Sequence, residues 1–168
     1  LVAAEEVVLA GKSVGTCVGL GSHGIALPPI VKFGTAVQKE RYVRPVLRGE
    51  LVSALGITEA GGGSDVAAVR TRAVRDGDHY VVNGSKTFIT SGTRADFITT
   101  AVRTGGEGHG GISLLIIDTK TPGFSVTRKL DKMGWWASDT AELAFEDCRV
   151  PKENLIGAEN AGFLMIMM

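Results

Sequence analysis

Apolar and polar positions change their rhythm near residue 51. LVSALGI, at 51–57, is an apolar run of strand length. In VAAVRTRAVR, Val69, Thr71 and Ala73 stand opposite Arg70, Arg72 and Val74, a period close to two. Asp76-Gly77 and Asn83-Gly84 are dipeptides that favour tight hairpin turns; they enclose HYVV, and SKTFIT follows. FITTAVRT, GISLLIID, FSVTRKL and ELAFEDCRV are further strand candidates, separated by turns bearing Gly or Pro. Short strands at this spacing predict an antiparallel barrel or sandwich.

Residues 1–50 read as helical. In TAVQKERYVRPVLRGE, Val37, Tyr42, Val43, Val46 and Leu47 fall near helical spacing, with Pro45 as the expected break and Gly49 as the expected end. GLGSHGIALPPIVKFG is rich in Gly and Pro and is expected to link two helices. PKENLIGAENAGF turns back toward helix, so the predicted order is helix, β-domain, helix, an α+β arrangement.

Composition narrows the function classes. With 44% hydrophobic and 21% charged residues, the chain reads as an ordinary soluble globular protein. Eighteen basic residues balance eighteen acidic ones without a basic run, so nucleic acid has no electrostatic footprint. No apolar stretch is read as reaching the roughly 20 residues of a membrane helix. LVAAEEVVLA lacks the basic leader of a secretory signal. Cys17 and Cys148 are expected to be free thiols rather than a disulfide, and His23, His79 and His109 are not at metal-ligand spacing. The closing GFLMIMM would open a buried helix, so the chain is expected to be a piece of a longer polypeptide.

Two phosphate-loop look-alikes fail on context. Gly19-Leu20-Gly21-Ser22-His23-Gly24 fits G-x-G-x-x-G, but no strand precedes it and Pro28-Pro29 is expected to forbid the long helix that should follow. Gly11-Lys12-Ser13 has Glu6 where a phosphate loop needs its first glycine. No serine lies in a G-x-S-x-G elbow.

ITEAGGGSD, at 57–65, fares better. It combines the Thr58 and Ser64 hydroxyls with consecutive glycine amides after a buried-looking strand, and such amides can line an anion-binding hollow. An ordinary interstrand turn has the same composition. In Lys86-Thr87-Phe88-Ile89-Thr90, alternation places Phe88 and Thr90 on one face and Thr87 and Ile89 on the other. An aromatic ring with a hydroxyl two residues on suits a flat heteroaromatic ligand, although a core Phe and a β-forming Thr would look alike. Asp139 and Thr140, in SDTAEL, read as polar side chains that organise a turn.

Together, ITEAGGGSDVAAVRTRA (57–73), VNGSKTFITSG (82–92), KMGWWASDTAELAFEDCRVPKENLIG (132–157) and the GFLM that follows resemble the acyl-CoA dehydrogenase family. KFGTAVQKERYVRPVLRGE resembles the end of that family's first helical domain. The resemblance implies the end of an N-terminal helical domain at 1–51, a middle β-barrel at 52–157 that binds FAD and acyl-CoA, and the start of a C-terminal helical domain at 158–168. It implies FAD-dependent formation of an α,β double bond in a fatty acyl-CoA thioester. Alternatives are an acyl-CoA oxidase-like flavoenzyme of the same superfamily and a non-catalytic β assembly module.

By position, the resemblance implies that Leu55, Ile57, Thr58, Gly63 and Ser64 line the flavin and its pyrophosphate, with Ser64 also near the acyl-CoA. Phe88, Ile89 and Thr90 would hold the flavin face opposite the substrate, with Thr90 near N5. Many members carry Trp at the Phe88 position, and Trp136 stands where polar residues are frequent. The catalytic base is expected beyond Met168, in the C-terminal bundle, and no catalytic residue is assigned here. An electron-transfer flavoprotein as acceptor, a homotetramer, a bacterial cytoplasmic or mitochondrial-matrix location and a lean toward long-chain members complete what the resemblance implies. The Gly105–Gly111 loop, GGEGHGG, is open to two readings, a loop that faces CoA and an exposed, mobile loop, of which the second is preferred.

Overall fold

The helices come first. The computed structural model describes residues 2–168: α1 (Val2–Gly11), α2 (Val14–Ala26), α3 (Pro28–Phe33), α4 (Ala36–Gln38), a π-helical turn (Lys39–Val43) and α5 (Arg44–Leu47). The expected linker at 19–34 is helix instead. Gly19 to Gly24 lie inside α2, and Pro28 and Pro29 occupy the first turn of α3, where a missing N–H costs no hydrogen bond. The Leu27 amide bonds to His23 O and the Val31 amide to Leu27 O, so one helical run passes almost unbroken into the next. Ala26, Leu27 and Ile30 are buried, and that packing outweighs the poor helix propensity of the glycines.

Val14–Phe33 is therefore a 20-residue helical stretch with a mean hydropathy of 1.3, apolar enough by length and composition to cross a membrane, contrary to the sequence reading. Its buried Ser22, Ala26, Leu27 and Ile30 are what a core helix also shows.

Pro45 does not break its helix. The turn before it widens, so that the Arg44 amide reaches back five residues to Lys39 O, and the proline sits at the start of α5. Gly49, at φ 74°, ends the run as expected.

Seven strands follow: β1 (Ser53–Gly56), β2 (Arg72–Asp76), β3 (His79–Thr90), β4 (Phe97–Arg103), β5 (Ile112–Asp118), β6 (Phe124–Lys129) and β7 (Thr140–Pro151), then α6 (Gly162–Met167). Every strand candidate forms, but the sheet is mixed and curled rather than purely antiparallel. β1 pairs in parallel with Phe97–Thr100 of β4, and Arg72 of β2 pairs in parallel with Arg103 farther along the same strand. β5 takes the other edge of β4 antiparallel, while β2–β3, β3–β7 and β6–β7 are antiparallel ladders.

Two turn expectations part company. The Asp76-Gly77 signal makes a hairpin, with Asp76 paired to His79. Asn83-Gly84 does not: it is an irregularity inside β3, where the register against β7 shifts between Val82 and Gly84. Gly84 has φ 147°, and a Cβ there would lie 2.6 Å from Thr71 Oγ1, so β3 passes directly against Thr71. Residues 155–161 form turns tied to β5 by bridges at Leu115 and Ile112 rather than helix, which begins only at Gly162.

The core has two parts on opposite faces of the sheet. Ile98, Val102, Leu115 and Ile117 join Tyr80, Val82, Leu143 and Phe145 inside the curl. Phe97, Ala101, Ile112, Leu114 and Ile116 face Leu27, Ile30, Tyr42, Val46 and Met165 from the helices. β4 and β5 are thus covered on both faces. Each fully buried Ile, Leu or Phe contributes about 1.5–3 kcal/mol, which makes this pair the rigid frame from which less buried segments hang.

Candidate functional site

β1 and β2 occupy successive stretches of one edge of β4, so residues 57–71 must leave the sheet at the seam between them. That segment carries the glycine run. It turns tightly, with the Glu59 and Gly62 amides each bonding the other's carbonyl at 3.1 and 3.0 Å. Gly61 and Gly62 have open space where a Cβ would stand, and neither has a positive φ. At Gly63 a Cβ would lie 3.0 Å from Thr58 Cγ2, so the loop folds back onto Thr58. Among the described residues, the amides of Thr58, Gly63 and Ser64 and the hydroxyls of Thr58 and Ser64 make no hydrogen bond to the protein.

The loop is fastened to the second half of β3. The Thr87 amide donates to Thr58 O at 2.9 Å. Lys86 Nζ donates to Ile57 O at 3.0 Å and to Glu59 Oε1 at 2.8 Å. Glu59 also accepts from the Arg70 amide at 2.8 Å, the Thr71 amide at 2.9 Å and the Thr71 hydroxyl at 2.6 Å. One carboxylate thus ties both ends of the excursion together and binds it to β3.

The Lys86 side chain is 0% exposed and that of Glu59 10%. Burial pushes the Lys86 ammonium down to about 8, against the raising influence of Glu59. Burial acts to raise the Glu59 carboxyl, but Lys86 and the donors from Thr71 and Arg70 outweigh it and hold the group below the usual carboxylate range. The pair is satisfied by hydrogen bonds on each side, as a buried pair must be.

Simple alternation fails at the strand itself. The register against β7 slips between Lys86 and Ile89, one extra residue is inserted, and Lys86 and Thr87 are buried in succession. Phe88 sits at φ 59°, a left-handed conformation unusual for an aromatic residue, and the residue is 66% exposed. Ile89 points into the core inside the curl, so its side chain is not available to a ligand and only its main chain is. Thr90 is half-buried, and its hydroxyl makes no protein hydrogen bond among the described residues. Phe88 and Thr90 are thus the accessible members of the stretch, as predicted, with the bulge setting the phase.

The remaining predicted positions are more dispersed. Ile57 is half-buried against the helix-side core. Leu55 lines a cleft of about 310 Å³ with Ile25, Pro28, Lys32 and Met165, and no other predicted residue lines it. Ser64 is exposed at the outer end of the loop.

A second charged anchor follows Thr90. Asp139 accepts from the Thr93 amide at 2.8 Å, the Thr93 hydroxyl at 2.7 Å and Arg94 Nε at 2.7 Å, and its carbonyl accepts from the Ser91 amide at 3.2 Å. Burial acts to raise its carboxyl, but the Thr93 and Arg94 donors hold it below its ordinary value. The turn-organising reading of Asp139 agrees with these contacts. The Gly105–Gly111 loop is pinned: Arg103 donates to Val69 O and Ala67 O on one side and to Gly106 O and Gly108 O on the other.

Sequence reasoning passed over Lys86 and Glu59. The usable signal was a lysine inside the strand stretch SKTFIT, with two acids, Glu59 and Asp65, in the loop ITEAGGGSD.

A family model described as acyl-CoA dehydrogenase, middle domain, matches residues 54–148, and one described as acyl-CoA dehydrogenase, N-terminal domain, matches residues 1–50. The chain belongs to the acyl-CoA dehydrogenase family. A probable acyl CoA dehydrogenase of known structure from Mycobacterium abscessus is 65% identical, with a TM-score of 0.95 over 98% of this chain and 44% of that one. Acyl-CoA dehydrogenase AFT10-1 of Alternaria alternata is 44% identical over 168 residues, 99% of this chain and 38% of that protein. A chain in a structure described as the electron transferring flavoprotein of Acidaminococcus fermentans is 44% identical, with a TM-score of 0.90 over 92% of this chain and 41% of that one. The chain spans about two fifths of the length of the curated relatives it matches.

Proposed function

We propose that the whole protein is a flavoenzyme that introduces an α,β double bond into an acyl-CoA thioester, and that these 168 residues supply its flavin-contact region. One observation carries the reading: the Thr87 amide bonds Thr58 O, so the glycine-bearing loop and the Phe88–Thr90 stretch are neighbours rather than separate patches. FAD, when bound, supplies the acceptor for the hydride leaving the acyl β-carbon. The chain's own groups bind and orient. The free amides of Thr58, Gly63 and Ser64 and the hydroxyls of Thr58 and Ser64 suit the polar edge and the phosphates of such a group. Phe88 offers an exposed ring and Thr90 a free hydroxyl beside it. Donors fixed in place before the reaction stabilise negative charge as it develops, without reorganisation. Leu55 and Ile57 belong to the same proposed lining, Ile89 through its main chain, and Ser64 also contacts the acyl-CoA. No catalytic base is assigned within residues 1–168. The domain limits 1–51, 52–157 and 158–168, a homotetramer and an electron-transfer flavoprotein as acceptor belong to this reading.

Relatives named for isobutyryl, short-chain and long-chain substrates match at 41%, 44% and 40% identity, which gives the long-chain lean no support. They include mitochondrial proteins and bacterial ones. A prolyl acyl carrier protein oxidase, 32% identical with a TM-score of 0.83, favours the oxidase alternative as a second reading. The full-length protein should be yellow and should bleach under anaerobic acyl-CoA. Thr90→Val and Ser64→Ala should each weaken FAD binding several-fold by fluorescence titration, and unchanged affinity in both would instead favour the non-catalytic module. Peroxide release on acyl-CoA addition in air, with no acceptor protein, would favour the oxidase.

A further inference from the structure

Lys86 and Glu59 do more than close a loop. Ile57 O and the Thr58 amide belong to one peptide unit. Lys86 Nζ sits 3.0 Å from that oxygen, while the amide at the other end has no acceptor among the described residues. A cation bonded to a carbonyl draws electron density along the peptide and strengthens its N–H as a donor, an effect enlarged where water is excluded. Glu59, 2.8 Å from the same ammonium, opposes that pull.

We infer that Lys86 and Glu59 are positioning residues that act through the Thr58 amide to set how strongly the site favours reduced over oxidised flavin. The inference rests on the flavin reading above and goes beyond it. Neither side chain touches the ligand. Lys86 is sealed beneath the loop, and Glu59 spends its oxygens on Lys86, Thr71 and the Arg70 amide. The two charges push in opposite directions, and that gives the inference a signed signature. Loss of the ammonium leaves a buried carboxylate, weakens the Thr58 donor and disfavours the extra negative charge of reduced flavin. Loss of the carboxylate leaves the ammonium unopposed and favours that charge.

The test uses full-length, FAD-loaded protein, with the flavin midpoint potential measured under argon against an equilibrating dye and FAD affinity by titration. Lys86→Met is expected to raise the ratio of reduced-to-oxidised FAD dissociation constants about tenfold, a fall of about 30 mV for a two-electron couple. Glu59→Gln is expected to lower the ratio by a similar factor. The double variant should return to within about threefold of wild type. Loosening of the loop alone would weaken both flavin states in both variants without opposite shifts. Single-variant shifts of the same sign, or ratios within twofold of wild type, would overturn the inference. Glu59→Gln keeps acceptor oxygen for Thr71 and Lys86, so if Lys86→Met does not fold this variant decides alone: a lowered ratio supports the inference, and an unchanged or raised one overturns it. Wild type that takes up no FAD overturns the flavin reading beneath it, whereas loaded wild type without these shifts overturns only the role of Lys86 and Glu59.

Discussion

Two ion pairs flank the Phe88–Thr90 stretch, and they differ in what surrounds them. Lys86–Glu59 lies before Phe88, with both side chains almost out of solvent. Arg94–Asp139 lies just after Thr90, with Asp139 7% exposed but Arg94 53% exposed. Both carboxylates accept from backbone amides as well as from the cation, so each organises a turn. The cations differ. Lys86 has no alternative partner in water, whereas Arg94 can be resolvated where it stands. The lesson is that a charge pair gains structural weight from the desolvation of its weaker-held member rather than from its distance, since 2.8 and 2.7 Å are alike.

The largest effect expected from that contrast is at Lys86. Lys86→Met strands a buried carboxylate and should cost about 3–5 kcal/mol in urea denaturation, and Lys86→Met/Glu59→Gln should recover much of it, because an isosteric uncharged pair lacks the desolvation penalty. At the other pair the cost should fall on the acid. Asp139→Ala strips partners from the Thr93 amide and hydroxyl and should cost roughly 2–3 kcal/mol, while Arg94→Ala leaves Asp139 both Thr93 donors and opens it to water where the half-exposed guanidinium stood, so it should cost less, about 1–2 kcal/mol, in the same assay. If Arg94→Ala proves as damaging as Lys86→Met, the burial argument is wrong.

Acid should act on both anchors together. Glu59 and Asp139 are each held below ordinary carboxylate values of 4.5 and 3.8. On acidification the unfolded chain therefore takes up protons before the folded one does. The stability these groups provide is complete above about pH 4.5 and is lost as pH falls through their lower folded values. Denaturation midpoints should hold from pH 6 to about pH 4.5 and decline below it, and Asp139→Ala should flatten the decline. The smallest effect is at Phe88. Phe88→Gly removes left-handed strain and should change stability by only about 0–1 kcal/mol in the favourable direction, while FAD affinity drops with the lost ring.

Strand candidates were legible because a two-residue period survives any tertiary context that buries one face. Val69, Thr71 and Ala73 are buried, and Arg70, Arg72 and Val74 are exposed, as their alternation predicts. The Gly- and Pro-rich stretch at 19–34 misled because propensity is a weak term that helix packing against β4 and β5 overrides. The Asn83-Gly84 turn misled for a related reason. The extra residue at that irregularity lies on β7, where Asp147 takes φ 48° and exchanges hydrogen bonds with Asn83, so the dipeptide serves a mid-strand bulge instead of a turn. Lys86 was the costliest omission. Alternation carries it inward with Tyr80 and Val82, opposite Leu143, and the one residue inserted after it in the β3–β7 ladder is what turns Phe88 and Thr90 the other way.

The sequence by itself determined the succession of helical and extended segments, the glycine run and hydroxyls of ITEAGGGSD, and the ring-plus-hydroxyl pattern of Phe88 and Thr90. These are local, fixed by side-chain type and backbone period. Only the tertiary structure decided that β1 and β2 share one edge of β4, so that the loop emerges at their seam beside Thr87. It alone decided that Lys86 reaches under that loop to Glu59, 27 residues earlier in the chain. A register slip and a buried charge pair are long-range facts: each depends on which strand lies alongside, and no short window of residues contains its own neighbour.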